Sequence, residues 1–112
     1  MSKTNILLTS NQMIKTSFTP IIKDTKKAPY DKPMTVEVVV EKGFHNGTIR
    51  VAADIHYTEV IGGKEFDYYQ FKSVGGSMVA QQRLTKKYAQ SLYEQHLPTL
   101  KEQLLEKFGL EI

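Results

Sequence analysis

The stretch Met34-Thr35-Val36-Glu37-Val38-Val39-Val40-Glu41 decides how the chain is read, because Met34, Val36, Val38 and Val40 alternate with Thr35, Glu37, Val39 and Glu41. Successive side chains of an extended backbone point to opposite faces, so a period of two is that of a half-buried strand. A loop containing Phe44, His45, Asn46 and Gly47 follows. Beyond it Ile49, Val51, Ala53, Ile55 and Tyr57 share one face, and Arg50, Ala52, Asp54, His56 and Thr58 the other. The two segments predict an antiparallel hairpin.

A third strand is expected from Lys64 to Ser73, completing a meander over 34–73. Both of its faces are partly apolar, with Phe66 and Tyr68 on one and Tyr69 and Phe71 on the other, so the preceding turn selects the core face. A three-residue Ile61-Gly62-Gly63 loop ending in a left-handed glycine sets Ile55 beside Tyr69, Ala53 beside Phe71, His56 beside Tyr68 and Thr58 beside Phe66. A two-residue Gly62-Gly63 turn does the reverse. The three-residue loop is the preferred reading.

Working outward, Ile6–Thr9 and Met13–Ile22 flank Ser10-Asn11 and suggest an N-terminal hairpin. Residues 23–33 lack apolar periodicity and contain Pro29 and Pro33, which cannot donate ladder hydrogen bonds; they form a basic loop. On the other side, Val74-Gly75-Gly76-Ser77 is expected to end the sheet, with Ser77 capping a helix over about 77–95. Ala80, Leu84, Tyr88 and Leu92 recur along it at four-residue spacing. Pro98 then opens a second helix over 98–108, where its missing N–H costs nothing, and Gly109 closes it after Leu100, Leu104, Leu105 and Phe108. The expected architecture is a single α+β domain over 1–112: a small antiparallel sheet followed by two C-terminal helices.

A chain of 112 residues is the common size for one domain. It has no cysteine, which removes disulfides, thiolate metal sites and cysteine nucleophiles together. The apolar run at Ile6–Leu8 is far short of a signal-peptide core or the ~20 residues of a membrane span, so neither anchor nor export is expected and a cytoplasmic location is the plain reading. Charge is uneven: residues 1–33 hold six Lys and two Asp (+4), 34–73 hold four bases and six acids (−2), and 74–112 hold five bases and four acids (+1).

Catalytic constellations are lacking. His45, His56 and His96 belong to no spaced ligand cluster, so no metal or other cofactor is expected. Asp54 and His56 share a strand face without a nucleophile as third member, and Glu65 and Asp67 sit in an alternating strand beside lysines, as on many wet surfaces. Gly75-Gly76-Ser77 lacks the lysine of a phosphate-binding loop and does not sit in a βαβ unit. An enzyme is not expected.

The positive signal is aromatic and basic residues interleaved on a sheet. In the preferred register Phe66, Tyr68, Gln70 and Lys72 share an open face with Arg50 and His56, and Phe44 and His45 project from the adjoining loop. That is the composition of a base-stacking platform for single-stranded DNA or RNA, with Lys23, Lys26, Lys27, Lys86 and Lys87 supplying phosphate contacts. Glu37, Glu41 and Asp54 on the same face oppose it. A protein-interaction module docking through its C-terminal helices or an edge strand is therefore the competing reading, and the helix over 98–108, too short to stand alone, suggests a homo-oligomer contact.

The β-rich first half, the aromatic meander at Phe66, Tyr68 and Tyr69 and the basic helix from Ser77 resemble the small OB-like single-stranded-DNA-binding proteins of phages over roughly residues 5–95. The resemblance implies a five-stranded barrel, a phage or mobile-element origin and strand binding on the central strands. Gly109-Leu110-Glu111-Ile112 departs from the better-known bacterial members, which end in an acidic tail.

Overall fold

The computed structural model describes residues 12–112. In chain order its elements are β1 (Gln12–Phe18), β2 (Ile21–Ile22), β3 (Met34–Lys42), β4 (Thr48–Ile61), β5 (Lys64–Val79), α1 (Lys86–Phe108) and β6 (Leu110–Glu111). Four strands form an antiparallel sheet in the order β1-β3-β4-β5, and β2 pairs with β6 in a small second sheet. Among the described residues the main sheet is open, with β1 and β5 at its edges, so the fold is α+β but not an OB-like barrel. The Ile6–Thr9 arm of the expected N-terminal hairpin lies outside the described residues. Its other arm supplies β1, which pairs with β3 from Phe18↔Val36 to Gln12↔Glu41.

The alternation of β3 and β4 places the core where it was expected. Val36, Val38, Val40, Ile49, Val51, Ala53 and Ile55 line one face and pack, with Val74, against Ala89, Leu92, Leu100 and Leu104 of α1. Burying an aliphatic side chain contributes about 1.5–3 kcal/mol, so this layer supplies most of the stability. A hydrogen bond of 2.8 Å between Tyr93 and Thr16 ties α1 to the β1 edge. Leu110, fully buried, brings the C-terminus back onto β2.

The C-terminal half differs from the sequence expectation in two respects. Val74-Gly75-Gly76-Ser77 does not end the sheet: the β4–β5 ladder runs on from Ala53↔Val74 to Thr48↔Val79. Gly75 sits at φ +92°, and a Cβ there would lie 2.5 Å from the Val51 carbonyl oxygen and 2.9 Å from Ala52 Cα. The glycine serves a close backbone approach inside a strand, not a turn. Consequently Ser77 caps nothing, and a single helix begins after Thr85, whose hydroxyl accepts from the Tyr88 N–H at 3.2 Å.

Pro98 lies inside that helix and does not start a new one. An interior proline costs about 3 kcal/mol through its missing N–H and ring clash. Burial of Leu100 and Leu104 beyond it, at about 1.5–3 kcal/mol each, offsets that loss and keeps the helix whole. Gly109 ends it as expected, at φ 63°, with its N–H donating to the Leu104 and Leu105 carbonyls. Thr85→Ala should lower the unfolding free energy by about 1 kcal/mol in urea titration, whereas Ser77→Ala should leave it within about 0.5 kcal/mol. No helix of the described residues is long and apolar enough to cross a membrane.

Candidate functional site

The register between β4 and β5 decides which side chains meet. Gly62 and Gly63 form a two-residue turn at φ 59° and 80°, pairing Ile61 with Lys64, Glu59 with Phe66, Thr58 with Asp67 and Tyr57 with Tyr68. Positive φ at both central residues gives a turn whose twist matches that of the flanking strands, which the three-residue alternative uses at only one glycine. The expected neighbours are therefore exchanged: Tyr57, not His56, lies opposite Tyr68, and Glu59, not Thr58, lies opposite Phe66. An irregularity between Ile55 and Tyr57 then sets Ile55 opposite Lys72 and Ala53 opposite Val74, in place of Tyr69 and Phe71.

This register puts Tyr57, Tyr68 and Phe66 on the helix-side face, just past the end of the core. The rings of Tyr57 and Tyr68 are stacked, 5.2 Å apart at 15°. Tyr30, from the loop before β3, adds a third ring 4.9 Å from Tyr57. Burial, with a smaller contribution from Tyr57, pushes the Tyr30 phenol above its ordinary range. The Lys32 ammonium lies 5.0 Å over the Tyr57 ring and 3.0 Å from Glu59. Its hydrogen bond to Glu59 raises its pKa. Tyr68 and Phe66 are 36% and 43% exposed, which leaves ring surface available to a ligand. Beside Tyr30 opens a cleft of about 750 Å³, lined in part by Thr19, Pro20, Thr25, Lys32 and Pro33.

Arg50 and His56 are on the opposite face. Arg50 bridges Glu41 at 3.0 Å and Asp54, and these hydrogen bonds, Asp54 first, raise its pKa. His56 is buried, its Nε2 3.7 Å from Glu37, which Lys15 approaches at 3.3 Å. The acids expected to oppose phosphate thus pair with Arg50 and Lys15 on that face. Arg50 and His56 accordingly do not join Phe66 and Tyr68 in one platform.

The other expected contacts are dispersed. Lys72, opposite core-facing Ile55, emerges on the helix-side face. Phe44 is 96% exposed in the β3–β4 loop, at the far end of β4. At ~3.3 Å per residue, that end lies about 35 Å from the Glu59↔Phe66 pair. Lys27 donates to the Glu106 carbonyl at 2.9 Å, and the Lys26 N–H to Asp24 at 3.0 Å. Lys86 and Lys87 open α1, exposed, about 30 Å from Glu106 along the helix axis. Tyr57, Tyr30 and Lys32 were missed. Reading Gly62-Gly63 as a two-residue turn finds Tyr57 opposite Tyr68.

Compared with protein-family models, curated proteins and solved structures, the chain matches none. Its chemistry is therefore read from the site. Among the described residues no cluster of His, Asp and Glu is arranged to hold a metal ion. What the arrangement offers is planar, partly exposed rings beside the Lys32 ammonium, which suits a flat ligand.

Proposed function

We propose that the protein is a non-catalytic single-stranded nucleic-acid-binding protein, of the kind phages and mobile elements encode, in which bases stack on Tyr68 and Phe66. The observation that carries this is the row Tyr30–Tyr57–Tyr68, continued by Phe66 on the same face. Tyr57 covers one side of Tyr68 and holds its plane, leaving the other side for a base. Lys32, Lys64 and Lys72 border the row and supply phosphate contacts. Stacking on an aromatic is worth about 1–3 kcal/mol per base and accepts any base. The reading needs neither a closed barrel nor the opposite face.

Fluorescence anisotropy with a labelled single strand of about thirty nucleotides tests it. Tyr68→Ala and Phe66→Ala should each weaken binding by about 5–150-fold, the equivalent of 1–3 kcal/mol. Three phosphate contacts give a slope of about −2 in log affinity against log salt. Parental affinity in both variants would overturn the platform.

A protein partner is the second reading, and the charge of the hairpin end favours it. Residues 58–67 carry Glu59, Glu65 and Asp67 against Lys64, a net −2 that repels a phosphate backbone. Absence of oligonucleotide binding even at low salt would transfer the function to such a partner.

A further inference from the structure

The end of the molecule away from the ring row has a composition of its own. The β3–β4 loop and the chain leaving β5 meet there: Lys42 pairs with Ile49 and Thr48 with Val79, and the Ala80 N–H donates to the Gly47 carbonyl at 2.7 Å. Residues 42–48 and 77–91 contain Lys42, Arg83, Lys86 and Lys87 but no Asp or Glu. All four cations are exposed, and among the described residues none of them stands in an ion pair. The nearest acids along the chain are engaged elsewhere, Glu41 by Arg50 and Glu94 by the Gln90 amide at 2.8 Å. Lys42, opposite core-facing Ile49, is on the helix side of the sheet. From Ala80 the chain reaches Lys86 in six residues, no more than about 22 Å, so the four charges share one end.

Phe44, 96% exposed, stands at the same end. The loop that carries it is closed by hydrogen bonds, from the Gly43 N–H to the Thr48 carbonyl at 2.9 Å and from the Thr48 N–H to the His45 carbonyl at 3.2 Å. The His45 ring meets Phe44 edge to face at 5.1 Å. A closed loop thus holds the ring out in solvent, where it adds nothing to the core. Folding does not account for the charges either. Lys86 and Lys87 occupy the first turn of α1, which has no acid, and cations there face the positive end of the helix dipole, an arrangement that lowers stability. A ring outside the core and unpaired cations that repel their own helix suit a partner with flat apolar faces and negative charge.

We propose that this end is a second contact surface for single-stranded nucleic acid, with a base stacked on Phe44 and phosphates held by Lys42, Arg83, Lys86 and Lys87. The proposal rests on the nucleic-acid reading of the protein but not on the ring row, which lies about 35 Å away. It supplies what the row lacks, since the hairpin end beside Phe66 is net acidic whereas this end is free of acids. One strand of about thirty nucleotides is long enough to touch both surfaces. Four further phosphate contacts, each contributing about −0.7 for a single strand, take the slope of log affinity against log salt from about −2 for the row alone to about −5. An anionic lipid surface offers the same charge; the stacking rings elsewhere on the chain favour the nucleic acid.

The test is a titration of the full chain with such a strand, followed by the amide chemical shifts of the protein. Shifts at 42–48 and 80–88 are expected together with shifts at 57–68. Shifts at 42–48 and 80–88 alone would support this surface and overturn the ring row. Shifts at 57–68 alone would overturn this surface and leave the row standing. No shifts even at low salt would overturn both, and co-sedimentation with phosphatidylserine vesicles would then assign the charged end to a lipid surface. Two variants at exposed positions sharpen the result, with circular dichroism checking their fold. Phe44→Ala should weaken binding by about 5–150-fold. Lys86→Gln with Lys87→Gln should make the salt slope shallower by about 1.4 while raising the melting temperature, whereas a structural role for those lysines predicts a lower one. Parental affinity in the first variant and parental slope in the second would overturn the proposal.

Discussion

Gly75→Ala is expected to lower the unfolding free energy by about 2–6 kcal/mol. One part is conformational: holding a side-chain-bearing residue at φ +92° costs about 1–3 kcal/mol. The second is steric, since the added methyl meets the backbone of Val51 and Ala52, which can move only by distorting the β4–β5 ladder. Overpacking of that sort costs about 1–3 kcal/mol more. Leu100 Cδ2, also 2.9 Å from the added carbon, can rotate and adds less. Set against totals of ~5–15 kcal/mol for a domain, the loss is large enough to unfold much of the protein on mild heating. Gly76→Ala is the control. Nothing lies within 4 Å of its Cβ position, so it should be neutral or stabilising by up to about 1 kcal/mol. Urea unfolding followed by far-ultraviolet circular dichroism measures both, and equal midpoints would show that the close approach relaxes.

Leu104→Ala should cost about 2–5 kcal/mol, whereas its neighbour Leu105→Ala should cost less than about 0.5 kcal/mol. Leu104 is fully buried between α1 and the sheet, and Leu105 is 43% exposed. The same chemical change thus creates a cavity at one position and removes surface carbon at the next. Matching losses would mean that α1 is rotated about its axis from the orientation described. The contrast also bears on Pro98, because the helix crosses that residue only if the far half, anchored by Leu100 and Leu104, is held down by packing.

Much of the fold was legible because periodicity is local. Alternation in 34–41 and 49–57 specified two strands and the face that carries Val36, Val38, Val40, Ile49, Val51, Ala53 and Ile55 into the core. Gly109 was legible as a helix stop because an orphan carbonyl and a left-handed residue are needed there whatever the neighbours are. The candidate site was legible in composition but not in membership. Phe66, Tyr68 and Lys72 reach the helix-side face, whereas Arg50 and His56 lie on the other, among Glu37, Glu41 and Asp54.

By itself, then, the sequence determined the strand character of the middle, the apolar face of the sheet and the end of the last helix. Only the tertiary structure decided where glycine's freedom is used and which residues become neighbours. Gly62-Gly63 and Gly75-Gly76 look alike in sequence, yet the first pair turns the chain and the second lies within a strand, because Val51 and Ala52 pass close to Gly75. A turn one residue shorter moves Phe66 and Tyr68 to the other face, exchanging His56 for Tyr57 as the partner of Tyr68. Propensity and pattern act within a few residues, whereas register and close approach are set by chain segments far apart in sequence. The three-ring cluster of Tyr30, Tyr57 and Tyr68 belongs to the second kind.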